Sequence, residues 1–235
     1  MSLNATQIFT LIDTEAGTNT TSYPLADKVL DINVALDDAI DIAIRSCGIG
    51  QYDDTNNTDY PIITTDLNSG QRDYSYTADG SGNLILDIYK VMVANSTGVY
   101  QEIPQVDMQS DMWTESFYDG QNVTGQPTKY DRTGNGIIFD VIPNYSYTAG
   151  IKMFINREGS YFTVSDTTKK PGIDGRLHEY LVISPAYKRS CRDKSPQKDD
   201  LAVRKALLEK KISEVYSKKD RGHRYKLSKK PFNFK

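Results

Sequence analysis

Apolar residues near the start of the chain recur every three or four positions, a spacing that predicts amphipathic helices. The strongest pattern runs from Ser22 to Gly48, with an early Pro24. Its apolar stripe consists of Leu25, Val29, Ile32, Leu36, Ile40 and Ile44. A stripe of this length predicts a helix of about six to seven turns. The other side predicts a solvated acidic face, made of Asp27, Asp31, Asp37, Asp38 and Asp41.

Three further segments have helical signals. The stretch "NATQIFTLIDTEAG" predicts a short helix with an Asn4 cap and a stop at Gly17. The stretch "DGRLHEYLVISPAYKRSC" predicts a helix after Asp174 that Pro185 kinks or divides. Its core positions are Leu177, Leu181 and Ala186. A highly charged helix then follows at "SPQKDDLAVRKALLEKKISEVYSKKDRG", with a stripe made of Leu201, Leu208, Ile212 and Val215.

The period changes between these helices, from about residue 52 onward. Short β-like runs such as "DYPIITTDL", "NLILDIYKVMVAN", "GIIFDVIP" and "SYFTVSD" alternate with clusters of Gly, Asn and Asp. This spacing predicts an antiparallel sandwich or meander. Residues 134–156, "GNGIIFDVIPNYSYTAGIKMFIN", predict a strand, a short turn and a second strand. The exposed tip of this hairpin is predicted to contain Pro143, Asn144, Tyr145 and Tyr147.

The order of these segments predicts an α+β protein. Both chain ends form a helical layer, and an antiparallel β-sandwich or meander module is inserted between them. The predicted units are N-terminal helices in residues 1–50, a β module in residues 51–171 and C-terminal helices in residues 172–219. The C-terminal helices are expected to pack with the N-terminal ones, and residues 220–235 form a basic extended tail.

Charge is distributed very unevenly along the chain. Residues 1–150 contain 6 Lys and Arg against 21 Asp and Glu, whereas residues 151–235 contain 22 against 10. The last 20 residues, "YSKKDRGHRYKLSKKPFNFK", hold eight basic residues and one acid. Such a split is typical of parts with different partners, and it predicts that the tail is an interaction segment.

Catalytic and metal-binding patterns are weak in this sequence. The two histidines, His178 and His223, belong to no known catalytic motif, and His178 is expected on a helix face packed against the sheet. There is no phosphate-binding loop and no zinc-ligand spacing. The Asp- and Asn-rich stretches "DRTGNG" and "DDTNNTD" match only parts of a calcium loop. We therefore predict a protein that is not an enzyme and that has no catalytic residue, metal or cofactor.

Two further expectations concern location and an alternative function. No segment approaches 18 consecutive apolar residues, and the first residues lack the form of a signal peptide, so no membrane association is expected. The 16 tyrosines and the single Trp113 leave open a carbohydrate-binding β module. Trp113 is more typical of a core or rim position than of a sugar platform.

Residues 117–191 carry a pattern of turns and strands. Gln126-Pro127 precedes Tyr130, and a strand at residues 137–143 ends in Pro143. A strand at 150–156, an aromatic run at 161–166, Pro171 and a helix that opens near residues 176–178 follow. This pattern resembles the head–tail adaptor (connector, or neck) proteins of tailed bacteriophages. The long N-terminal helix, the basic C-terminal helix and the tail also fit this family, so the resemblance covers about two thirds of the chain.

The resemblance implies a structural virion protein at the head–tail interface, assembled in the host cytoplasm. Family members form a homo-oligomeric ring, commonly of twelve copies, beneath the portal protein. The ring extends the DNA channel, lies close to double-stranded DNA without sequence recognition, and docks the next neck or tail protein. An acidic channel lining would repel DNA and let it slide. Another tail-ring or stopper protein of the virion is the alternative.

Two sets of site residues follow from this resemblance. In several relatives the C-terminal segment grips the portal, and the tail has basic residues for an acidic groove and aromatic residues as anchors. The expected portal-docking residues are Arg221, Arg224, Tyr225, Lys226, Lys229, Lys230, Phe232 and Phe234. The expected contacts to a neighbouring subunit or to the next ring are Pro143, Asn144, Tyr145 and Tyr147.

Overall fold

A computed structural model describes residues 2–47, 62–78, 82, 84–107 and 123–219. Within these residues the chain forms four helices and nine strands. The helices are α1 (Ala5–Ala16), α2 (Leu25–Cys47), α3 (Tyr180–Arg192) and α4 (Lys198–Lys219). The strands are β1 (Ile62–Leu67), β2 (Asp73–Ser75), β3 (Ile85–Ala94), β4 (Tyr100–Ile103), β5 (Thr124–Gly125), β6 (Tyr130–Thr133), β7 (Gly136–Phe139), β8 (Ile142–Pro143) and β9 (Tyr147–Arg157). This is the predicted α+β fold, with helices at both ends and antiparallel sheets between them.

Helix α1 begins and ends where its sequence signals predict. The Asn4 side chain accepts a hydrogen bond from the Gln7 N–H at 2.9 Å, and the Gln7 side chain accepts one from the Asn4 N–H at 3.0 Å. This reciprocal pair satisfies two donors at the start of the helix. Gly17 ends the helix with φ +64°, a left-handed conformation that glycine adopts without strain.

The four helices form a layer in which α3 is central. Helix α3 contacts α1, α2 and α4, and residues 180–186 are all buried. The predicted core positions Leu177, Leu181 and Ala186 are fully buried. Pro185 lies inside α3 and does not divide it, so of the two predicted outcomes the division is wrong and the kink stays a prediction. The missing N–H removes only the bond to Leu181, and packing on both sides holds the helix together.

The β module consists of two facing sheets. One sheet has the strand order β1-β9-β3-β4 and the other has the order β2-β7-β6, and all these neighbours are antiparallel. Their inner faces share one hydrophobic core, in which Val91, Ile137, Phe139, Ile151 and Met153 have no exposed surface. A short parallel pair, β5 with β8, lies outside the two sheets. Burial of alternate residues from both sheets stabilises this module.

Two β predictions are wrong. Residues 134–156 do not form a hairpin, because β7 belongs to the three-stranded sheet and β9 to the four-stranded sheet. The chain crosses between the sheets at β8, so the two strands face each other through the core. The run "SYFTVSD" is not a strand, because Phe162 is buried among helix residues. Asn33 holds it there, since its side chain bonds both the N–H and the carbonyl of Phe162, at 2.8 and 3.0 Å.

Candidate interaction surfaces

The tyrosines of the predicted tip at residues 143–147 pack inward. The Tyr145 hydroxyl donates a hydrogen bond to the Ala94 carbonyl at 2.8 Å, and both rings pack against the β core. The Tyr147 ring covers Gly98, where a Cβ would collide with the Tyr147 hydroxyl. Gly98 also has φ +85°, which ends the turn between β3 and β4. The two tyrosines therefore fix this segment to the β3–β4 turn.

The remaining tip residues differ in exposure. Pro143 is buried, and its carbonyl accepts a hydrogen bond from the Gly70 N–H at 2.8 Å. Asn144 is exposed. The prediction of an exposed tip is therefore wrong for Pro143 and holds for Asn144, because the crossing between sheets places the proline over the core. Sequence alone could not show this, since it depends on which sheet each strand joins.

The predicted portal-docking residues lie outside the part of the chain that the structure describes. The same is true of Trp113, His223 and the "DDTNNTD" stretch. Helix α4 ends at Lys219, immediately before the tail sequence. The tail therefore starts from the helical layer. The other calcium-like stretch, "DRTGNG", forms the tight turn between β6 and β7, in which Thr133 pairs with Gly136.

Asp31 links the acidic and basic ends of the chain. It was predicted on a solvated face, but it is 4% exposed and contacts three groups, so that prediction is wrong for this residue. Its carboxylate accepts a hydrogen bond from the Tyr23 hydroxyl at 2.6 Å and pairs with Lys188 at 2.6 Å and Arg192 at 3.0 Å. Basic residues from the C-terminal part of the chain therefore neutralise an acidic residue from the N-terminal part inside the helical layer.

These contacts change the acidity of two groups. Burial by itself would raise the pKa of Asp31, but the hydrogen bonds from Lys188 and Tyr23 outweigh burial and hold the pKa below its usual value. Burial raises the pKa of Tyr23, and its bond to the Asp31 carboxylate raises it further. A second pairing of the same kind joins Arg204 of α4 to Glu15 of α1 at 2.7 Å. Both ion pairs connect N-terminal to C-terminal helices.

His178 joins the N-terminal segment to the start of α3. It is 2% exposed, and its Nδ1 accepts a hydrogen bond from the Leu3 N–H at 2.9 Å. This contact requires Nδ1 to be unprotonated, so the proton of the neutral ring lies on Nε2, which donates to the Ile173 carbonyl at 3.0 Å. His178 thus contacts the helical layer, and the predicted packing against the sheet is wrong.

We expect this histidine to make stability depend on pH. Burial lowers the pKa of His178, so the unfolded chain takes up this proton at a higher pH than the folded protein. The contribution of His178 to the free energy of unfolding is complete above about pH 6.5. It falls as the pH decreases toward the pKa of this histidine in the folded protein. Urea unfolding at several pH values should show this decrease, and His178→Gln should reduce it. An unchanged pH dependence in the variant would contradict the assignment.

The solvent-facing side of the four-stranded sheet combines lysines and aromatic rings. The Lys152 ammonium lies 3.7 Å from the centre of the Tyr100 ring, and Lys90 lies 5.4 Å from the centre of the Phe154 ring. Lys90 also pairs with Glu102 at 2.8 Å. The two lysines interact with aromatic rings and a carboxylate on neighbouring strands. This face is therefore a stabilised sheet surface rather than an open cationic patch.

An open groove of about 480 Å³ lies between β1 and β2. Its lining is mainly polar and comprises Thr64, Thr65, Asp66, Asn68, Gln71, Tyr74, Ser75 and Tyr76. Several of these groups bond within the protein. Asp66 accepts a bond from the Ala149 N–H at 2.7 Å, and the Asn68 side chain donates to Gln71 at 3.0 Å. The groove contains no nucleophile paired with a base, and the carbohydrate-binding alternative stays a prediction.

The outer faces of α2 and α4 were not recognised from the sequence. The α2 outer face consists of Leu30, Val34, Asp41 and Arg45, and the α4 outer face consists of Val203, Leu207, Lys210 and Glu214. All eight residues are exposed. The available signal was a pair of apolar residues four positions apart on the polar side of each helix.

Neither a membrane-spanning helix nor a cluster of metal ligands occurs among the described residues. No helix there is long and apolar enough to cross a membrane. Over the same ranges, no group of three or more His, Cys, Asp or Glu side chains is arranged to hold a metal ion. No protein-family model and no curated protein matches this chain.

Proposed function

We propose that this protein is a head–tail adaptor of a tailed bacteriophage, a structural subunit of a ring that binds beneath the portal protein. The observation that carries the proposal is the single helical layer made by both chain ends, with the β module inserted between them. The tail sequence continues from this layer, and residues 117–191 resemble the adaptor family. The role requires no catalytic residue, metal or cofactor.

The tail makes the contact with the portal in this proposal. Helix α4 ends at Lys219, and its core residues Ile212 and Tyr216 hold it in the layer. Residues 220–235 then provide basic side chains for an acidic groove. Phe232 and Phe234 provide apolar anchors, which contribute most where they are fully removed from water. The charge attraction speeds encounter and fixes the orientation of the tail.

The β module contacts the next ring or a neighbouring subunit. Tyr145, Tyr147 and Pro143 hold the segment at residues 143–147 rigid, and the exposed Asn144 makes the contact. A rigid contact segment loses little conformational freedom on binding. The copies form a homo-oligomeric ring, commonly twelve in this family, that surrounds double-stranded DNA without reading its sequence.

A binding experiment with portal rings tests the proposal. Purified portal particles should carry the full-length chain with them in sedimentation, and images of the particles should show an added ring on the tail-facing side. Portal particles blocked by a bound tail-side protein are the control and should bind none. Failure of the full-length chain to bind free portal particles would refute the adaptor function.

The position of the protein in the virion distinguishes the adaptor role from a second structural role. A tail-ring or stopper protein would also be an oligomeric virion component, and its site would lie further from the head. Cryo-EM reconstruction of the intact neck decides between the two. Density for this fold directly on the portal supports the adaptor, and density below another ring supports the alternative.

A further inference from the structure

The α2 outer face has an apolar centre beside charged residues. Leu30 is 65% exposed and Val34 is 47% exposed, and they lie one turn apart on the side opposite the buried stripe. Asp41 and Arg45 continue the same row and pair with each other at 2.6 Å. The exposed parts of these two side chains are removed from water only if another surface covers them.

The α4 outer face has a similar order of residues, with its charged pair three positions after the apolar pair rather than seven. Val203 is 61% exposed and Leu207 is 63% exposed, again one turn apart and opposite the buried residues of the helix. Lys210 and Glu214 continue this row and are also exposed. Each helix therefore carries two apolar residues, followed toward its C-terminus by two residues of opposite charge.

The two faces cannot meet within one copy. Helices α2, α3 and α4 all contact one another, so the three pack as a triangle. The outer side of each helix in a triangle points away from the other two. A contact between the α2 outer face and the α4 outer face therefore needs a second copy of the chain.

The two helices run in the same direction. Arg192, at the end of α3, contacts Asp31 near the start of α2, and α4 begins six residues after Arg192. Near the other end, the hydroxyl oxygens of Ser46 and Ser213 lie 3.0 Å apart. Rotation about an axis along the helices preserves this direction. The α4 of a neighbour therefore runs parallel to α2, as side-by-side copies in a ring require.

The positions of the side chains along the two helix axes agree with this parallel arrangement. If the two helices are taken as parallel and in contact at Ser46 and Ser213, each residue of α2 lies at about the height of the α4 residue whose number is 167 higher. A small inclination of the helices to the ring axis adds a shift of two residues, about 3 Å, between neighbouring copies, and this shift places Val34 beside Val203. The same shift places Asp41 opposite Lys210 and Arg45 opposite Glu214. Both charge pairs are then attractive.

We propose that the α2 outer face of one copy binds the α4 outer face of the next copy, head to tail. A single pair of helix faces buries much less than the roughly 1,200 Å² of a stable interface, so free copies associate weakly. Copies held on a template meet at high effective concentration, and the contact then forms. The inference rests on the proposed function only for closure of the contacts into a ring.

Disulfide cross-linking tests this contact. The background carries Cys47→Ser and Cys191→Ser, and one chain carries Val34→Cys while another carries Val203→Cys. Mild oxidation of the mixture, alone at high concentration and on portal particles, should give on the order of tenfold more dimer than either chain alone, because only this pair brings two Cβ atoms within disulfide range. Val164→Cys, on an equally exposed valine of a loop, mixed with Val203→Cys is the matched control.

Charge exchange provides an independent measurement. Asp41→Lys and Lys210→Asp should each reduce the cross-linking yield severalfold, and their combination in one chain should restore it. The proposal is overturned if the Val34 and Val203 cysteines cross-link no better than the Val164 control both alone and on portal particles. Portal binding without this cross-link would refute the interface and leave the adaptor function supported. Cross-linking without portal binding would support the interface and refute the adaptor function.

Discussion

Deletion of residues 220–235 is expected to abolish binding to portal particles and leave the fold intact. The truncated chain ends at Lys219, so it keeps all of helix α4 with its buried Leu208, Ile212 and Tyr216. Loss of two aromatic anchors worth roughly 2 kcal/mol each predicts at least a 100-fold weaker affinity. Co-sedimentation with portal particles measures the affinity, and thermal unfolding of the truncated chain checks the fold.

Two matched variants of the tail separate its charge from its aromatic residues. Replacing Lys226, Lys229 and Lys230 with Gln should slow association and make binding less sensitive to salt. Replacing Phe232 and Phe234 with Ser should speed dissociation and keep the salt dependence. Full binding by the truncated chain would refute the tail assignment, and the adaptor function itself would then depend on another surface.

Asp31→Asn is expected to lower the free energy of unfolding by about 2–3 kcal/mol. The substitution keeps an acceptor for the Tyr23 hydroxyl but removes the charge that Lys188 and Arg192 share. Breaking a buried ion pair costs about 3–5 kcal/mol. The estimate here is lower because the Lys188 and Arg192 side chains are 42% and 49% exposed and remain hydrated. Urea unfolding at neutral pH measures the difference.

The pH dependence identifies the cause of this loss. The folded-state pKa of Asp31 is lowered, so its stabilisation is present above the unfolded pKa of 3.8 and disappears as the pH falls through the folded value. The difference between the original protein and Asp31→Asn should therefore shrink below about pH 4. Asp38→Asn, on an exposed position of the same helix, is the control and should change stability by less than about 0.5 kcal/mol. Equal effects of the two substitutions would contradict the role of Asp31.

Local signals predicted the ends of α1 and the buried stripe of α2, whereas α3 begins at Tyr180 and not directly after Asp174 as predicted. The Asn4 cap and Gly17 stop of α1 depend on bonds between residues three to five positions apart. The stripe residues Leu36 and Ile40 of α2 are buried as their spacing predicts. Such features were accessible because the interacting groups are near one another in sequence.

The failed predictions all involve long-range partners. Asp31 has the same acidic side chain as its neighbours on α2, and only the approach of Lys188 and Arg192 makes it a buried ion-pair centre. The pattern of Phe162 is typical of a strand, yet Asn33 binds its backbone and the helices bury its ring. Pro143 was predicted at an exposed tip, yet it is buried, because the chain crosses between the two sheets there.

The candidate surfaces also differ in whether the sequence alone identifies them or the fold is needed. Composition alone identified the basic, aromatic tail as an interaction segment, because charge and aromatic content are properties of the sequence. The outer faces of α2 and α4 needed the fold, since an exposed apolar pair is recognisable only when the neighbours that could cover it are known.

The sequence by itself determined the order of helices and strands, the chain-end location of the helices and the division of charge. These features follow from local spacing and composition. The tertiary structure alone decided which sheet each strand joins, which carboxylate is buried, and that residues 134–156 cross between two sheets at β8. Those outcomes depend on contacts between residues at least 58 positions apart, such as the pairing of β9 with β1 and β3, which local patterns do not encode.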